Sequence, residues 1–97
     1  MSAEHPLTPG EYSNRLEKME HIIAAVRAEL TLAILNHGDF ASAHEGYAVI
    51  REELELELWP EVGKKRAVRS RAVLEKEAIQ IAAMAIKFAL NVDRMVG

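Results

Sequence analysis

Residues 78–90, AIQIAAMAIKFAL, are apolar nearly all the way round a helix. At about 100° per residue, Glu77, Ile81, Met84 and Phe88 fall on one face. Ile79, Ala82, Ala83, Ile86 and Leu90 cover the opposite one. The alanines between them allow close helix approach. A helix that is apolar on both sides must be buried on both sides. In a chain of 97 residues, two further helices cover one side well and hardly both. The sequence therefore predicts a homodimer or homotetramer with this helix near its centre. Gln80 and Lys87 interrupt the run, which is too short to span a bilayer.

The rest of the chain also reads as helix. Thr8, Pro9 and Glu11 form a helix start, with a hydroxyl cap, proline in the first turn and glutamate closing a capping box. Leu16, Met19, Ile23, Val26, Leu30 and Ala33 then alternate in steps of three and four, which places them on one stripe. The first helix is predicted over residues 9–35 and ends at Asn36, His37 and Gly38. Ser42 and Glu45 open a second helix that runs to Trp59, where Pro60 marks a stop or a kink. Leu54-Glu55-Leu56-Glu57-Leu58 alternates like a strand but sits among helix formers, so it reads as helix. A basic connector, with Lys64, Lys65, Arg66, Arg69 and Arg71, leads to a third helix. That helix starts between residues 67 and 71 and reaches residue 94. The expected architecture is all-α: residues 1–9 as a flexible tail, and residues 10–97 as one three-helix domain that assembles into an oligomeric bundle.

Composition narrows the function classes. A hydrophobic share of 49% exceeds that of a disordered chain. The chain has no cysteine, which rules out disulfides and thiolate metal sites. The net charge of −3, with no evident recognition helix, argues against nucleic acid as a partner. Met1 to Gly10 carries no basic start and no apolar run, so a signal peptide is not expected, and the cytoplasm is the default location.

Chemistry concentrates on the second helix, which carries Glu45, Glu52, Glu53, Glu55 and Glu57. Such a run is either a solvated face or a source of oxygen ligands for a divalent cation. Glu52 with Glu55, or Glu53 with Glu57, has the spacing of one helical turn. Glu77 shares a face with Ile81, Met84 and Phe88, where an apolar residue is the ordinary expectation. A buried carboxylate needs a cation or a hydrogen-bond partner. Gln80 adds a carbonyl oxygen from the same turn, although Glu77 could instead pair with Arg71 or Lys87. Lys87, near Gln80 in angle, is the best single candidate to hold a phosphate group. The basic connector is an alternative holder, or simply a solvated loop. Trp59 either packs at the helix end or stacks on a base. The four histidines show no metal-binding spacing.

Two stretches carry a family resemblance. His44-Glu45-Gly46-Tyr47-Ala48-Val49-Ile50, followed by Glu52-Glu53-Leu54 and Glu57-Leu58-Trp59, is one. Glu77-Ala78-Ile79-Gln80-Ile81-Ala82-Ala83-Met84-Ala85 is the other. Over residues 16–92 the chain resembles the MazG-like nucleoside triphosphate pyrophosphohydrolases, all-α proteins that bind Mg²⁺ through Glu-x-x-Glu on one helix and Glu-x-x-Asp on the next. The resemblance implies an oligomeric bundle with Mg²⁺ as cofactor and Mn²⁺ as a substitute. It also implies a nucleoside triphosphate substrate, cut between its α- and β-phosphates. By this resemblance Glu53, Glu57, Glu77 and Gln80 are the metal ligands. Apart from the resemblance, a spare glutamate, Glu45 or Glu52, is the candidate general base for an attacking water, and Lys87 and Trp59 are the candidate substrate contacts. Two departures are specific. Counting from Tyr47-Ala48-Val49-Ile50 puts the first acid at Glu53 and the second at Leu56, whereas counting back from Trp59 puts the second at Glu57. The helix thus holds one extra residue, as a π-bulge would supply, unless Glu52 and Glu55 keep the strict spacing. Gln80 stands where the family has Asp, which keeps an oxygen and loses a charge. A degraded relative that binds nucleotide or serves as an assembly module is the alternative. A coiled-coil adaptor, from the first-helix stripe, is the third reading.

Overall fold

The computed structural model describes residues 5–97. These form three helical rods and no strand. The first is α1, Pro9–His37. The second is α2, Ala43–Glu52, which passes without a break through a π-helical segment, Glu53–Leu58, into the short α3, Trp59–Val62. The third is α4, Arg71–Leu90. Single 3₁₀ turns occupy Arg66–Val68 and Val92–Arg94. Residues 1–4 of the expected tail lie outside the described residues. Residues 5–8 are exposed and non-helical, and the helix begins at Pro9. Among the described residues no helix is long and apolar enough to cross a membrane.

The helix starts follow from local chemistry. The Thr8 hydroxyl accepts from the Glu11 amide, and the Glu11 carboxylate accepts from the Thr8 amide, both at 3.2 Å. Ser42 caps α2 by accepting from the Glu45 amide at 3.1 Å. Glu45 reaches one residue further back than a capping box requires and accepts from the Ala41 amide at 3.3 Å. Ser70 caps α4 through the Val73 amide at 3.2 Å. α1 runs two residues past its predicted end because Gly38 takes a left-handed φ of 68° and returns its amide to Ile34. An L side chain is strained there.

Pro60 does not stop the second rod. A proline ring presses on the carbonyl four residues earlier, here that of Leu56. The π-helical turn ahead of it widens the backbone, so that the Trp59 amide bonds to Leu54. The chain then completes one more turn, to Val62.

The connector to α4 is tied rather than loose. Glu61 is buried, and its carboxylate accepts from the Lys64 ammonium at 2.9 Å and from the Ser70 amide at 2.7 Å. These partners hold its carboxyl below the ordinary range. The Arg69 guanidinium donates to the Val62 carbonyl at 2.7 Å and to the Lys64 carbonyl at 3.0 Å. Two residues of the basic run are thereby used to fix where α4 begins.

At the other end, the loop between α1 and α2 is pinned to the C-terminus of α4. The Asn91 side chain is buried, accepts from the Phe40 amide at 2.8 Å and donates to Asp39 at 2.9 Å. Phe40 meets Phe88 with ring centroids 6.5 Å apart and planes tilted by 56°, a favourable edge-on arrangement. Gly46 makes this junction possible. A Cβ on Gly46 would lie 2.6 Å from Phe88 and 3.1 Å from Phe40. Gly46→Ala gains up to about 1 kcal/mol of helix propensity and costs about 1–3 kcal/mol of overpacking. The thermal midpoint measured by circular dichroism should therefore fall. An unchanged or higher midpoint would show that the two rings yield freely.

Candidate functional site

The buried side of α4 is polar where a helix–helix interface is ordinarily apolar. Glu77, Gln80, Met84, Lys87 and Asn91 recur in steps of three and four, so they share one stripe. Glu77, Lys87 and Asn91 are buried, and Gln80 and Met84 are half-buried. The only buried hydrophobic side chains among the described residues are Val26, Phe40 and Ala83.

Glu53 meets this stripe from the π-helical segment. Its carboxylate lies within hydrogen-bonding reach of the Glu77 carboxylate. With its amide turned so that the nitrogen faces the two acids, Gln80 donates to both, at 3.1 Å to Glu77 and 3.3 Å to Glu53. Burial pushes the Glu53 carboxyl above its ordinary value, and the contact with Glu77 adds to that. The charges of Glu77, Glu57 and Glu52 raise it further. Among the described residues no three His, Asp or Glu side chains converge on one point. The cluster is two carboxylates and one amide.

A half-turn of the Gln80 amide exchanges its nitrogen for its oxygen. Three oxygens would then face one another, which is a donor set that suits a hard divalent cation. The same amide therefore fits either state: as donor it holds the two acids together, and as acceptor it joins them as a ligand.

The cluster opens on a cleft of about 480 Å³ between the end of α1, the start of α2 and α4. Glu29, Glu45, Glu53, Gln80 and Lys87 supply its charged and polar wall. Leu32, Ala33, Phe40, Val49 and Met84 supply its apolar wall. Lys87 is 4% exposed and rests its ammonium 4.2 Å from the centre of the Phe40 ring. Such a cation–π contact is worth about 0.5–2 kcal/mol, less than the several kcal/mol needed to bury an ammonium without a counter-charge.

The expected site residues divide accordingly. Glu53, Glu77 and Gln80 come together, and Lys87 and Glu45 line the same cleft. Glu57 is exposed and acts on Glu53 only through its charge. Glu52 faces a separate hollow with Tyr47, Arg51 and Leu56. Glu55 pairs on the surface with Arg51 at 3.1 Å. Trp59 is 64% exposed and lies off the cleft. Glu29, Asn36, His37 and Phe40 also line the cleft without having been singled out in the sequence. For Asn91 a signal did exist, since it continues the three-and-four spacing of Glu77, Gln80 and Lys87.

Comparison with models of known families, with curated proteins and with solved structures finds no match for this chain.

The raised Glu53 carboxyl sets a pH dependence. A carboxyl whose folded value lies above its ordinary 4.5 stabilises the fold most when protonated. That contribution is complete below the unfolded value and is lost as pH rises through the folded one. Glu53→Gln should therefore raise the thermal midpoint of the protein in EDTA at neutral pH. It should also flatten the decline in stability with rising pH. A lower midpoint for Glu53→Gln in EDTA would show instead that the charged form is stabilised in the fold.

Proposed function

We propose that the chain is an oligomeric, divalent-cation-dependent hydrolase of nucleoside triphosphates, of the MazG-like kind, releasing pyrophosphate. The observation that carries this reading is the meeting of Glu53, Glu77 and Gln80 across the π-helical turn. Glu53, at the start of the π-helical segment, and Glu77 are the two acids that the resemblance expects to face each other, while Glu57 stays outside the cluster.

Glu53, Glu77 and Gln80 would hold Mg²⁺, or Mn²⁺ in its place. When bound, the cation supplies charge neutralisation at the phosphate oxygens. Glu45 stands at the cleft with a free carboxylate oxygen and would accept the proton of the attacking water. Water adds at the α-phosphorus, and the bond from it to the bridging oxygen breaks. The products are a nucleoside monophosphate and pyrophosphate. The apolar wall of Leu32, Ala33, Phe40, Val49 and Met84 would cover the less polar part of the nucleotide.

Incubation with a panel of nucleoside triphosphates and Mg²⁺ should release pyrophosphate, and Mg²⁺ or Mn²⁺ should raise the thermal midpoint. Glu77→Ala should abolish both effects. No pyrophosphate from any nucleotide, together with no thermal response to either cation, would sink the enzyme reading. A second reading is favoured by the neutral Gln80 and the outward Glu57: a relative that binds nucleotide without cutting it. A cation response and nucleotide binding with no pyrophosphate released is its signature.

The exposed area supports the proposed assembly. A compact monomer of 10.8 kDa exposes about 5,500 Å², whereas this chain exposes 7669 Å². The excess, about 2,000 Å² per chain, matches what obligate interfaces bury. The radius of gyration is 15.9 Å, against about 12.5 Å for a compact chain of this length. Ile23, Val26, Leu30, Ala82, Ile86 and Leu90 line an open apolar groove between α1 and α4. A second copy of the chain is the occupant this reading assigns to it. Light scattering should give at least a dimer mass at micromolar concentration, and Ile86→Glu should reduce it. A wild-type monomer contradicts the assembly.

A further inference from the structure

We infer that Lys87 forms an anion subsite, separate from the Glu53–Glu77–Gln80 cluster, that takes a phosphate-class anion without needing a bound cation. The naming of the anion as a phosphate rests on the triphosphate reading of the cleft. The existence of the subsite rests on the geometry of Lys87.

Lys87 is more than nine-tenths buried. Among the described residues its ammonium closes no ion pair. It lines the cleft between the end of α1, the start of α2 and α4. Its one specific contact is the face of the Phe40 ring, and Phe40 is itself 2% exposed. A buried ammonium with an aromatic face on one side and an open cleft on the other is a charge that lacks its counter-ion.

The surrounding structure holds Lys87 in this position. Asn91, one turn further along α4, fixes the Phe40 backbone. Phe88 packs beside the Phe40 ring. The platform under the ammonium is therefore set by contacts that do not involve Lys87. Gln80 lies seven residues earlier on the same stripe, about 10 Å along the helix axis. The acidic cluster and the lysine thus occupy different parts of one cleft. A linked pair of phosphates could place one group at each.

The probe is inorganic pyrophosphate, titrated calorimetrically into the full-length chain, first in EDTA and then in Mg²⁺. Wild-type protein should bind it in EDTA. Lys87→Met, which keeps an apolar side chain over Phe40, should weaken that binding at least tenfold. Lys87→Arg should retain it within about threefold, because a guanidinium also carries the charge and stacks on a ring. The thermal response of Lys87→Met to Mg²⁺ should match that of wild type. If Lys87→Met does not fold, Lys87→Gln takes its place.

Absence of pyrophosphate binding by wild type in EDTA overturns the inference, as does equal binding by the folded methionine variant. So does a drop in solution mass for Lys87→Met with pyrophosphate affinity unchanged, because the counter-charge would then come from a second copy. The outcome separates from that of the hydrolase reading. Lys87-dependent pyrophosphate binding in a protein that cuts no nucleotide sinks the enzyme and keeps the subsite. Hydrolysis with binding indifferent to Lys87 does the reverse.

Discussion

The polar stripe on α4 is the constraint to which the other elements answer. Five positions at helix-interface spacing carry Glu77, Gln80, Met84, Lys87 and Asn91. Buried polar groups are tolerated only when each finds a partner, and the polar members of this stripe recruit two other parts of the chain. Glu77 and Gln80 take Glu53 from the second rod. Lys87 takes the face of Phe40, and Asn91 takes its backbone amide together with Asp39. The loop between α1 and α2 is thus placed by polar side chains of α4 as much as by the Phe40–Phe88 contact.

The π-helical segment is where sequence and site are joined most directly. An α-helix through Glu53–Leu58 would carry Pro60 against its own backbone. The wider turn makes room ahead of Pro60 and lets the second rod continue to Val62. π-bulges are costly and are found at functional positions. This one presents Glu53 to Glu77.

Much of this was legible in the residues. The caps at Thr8 and Ser42 and the three rods follow from local rules that depend only on neighbours in the chain. Glu77 and Gln80 were legible because they break an apolar face. What was hidden depends on contacts between segments far apart in sequence. Nothing local marks Glu61 as the anchor of the connector, since its partner Ser70 becomes near only when the loop folds back. Phe40 reads as a loop residue until Asn91 and Lys87 are placed on it. The exposure of Glu57 was equally unreadable, because a helix with one inserted residue rotates every later side chain by about 100°.

The apolar residues of α4 then acquire a different meaning. With the stripe facing the second rod given over to polar groups, the protomer has little core to spend its aliphatic residues on. Ile86 and Leu90 remain exposed, and so do Leu16, Met19 and Ile23 on α1. Residues 9–21 are exposed throughout. A three-helix chain that, among its described residues, buries only the hydrophobic side chains of Val26, Phe40 and Ala83 gains too little from its own packing to offset the entropy of ordering. The cleft and the proposed assembly would then be two consequences of one choice. Placing charge inside the protomer moves the hydrophobic driving force to its outside, and the proposed interface between copies would supply the stability that the polar stripe gives up.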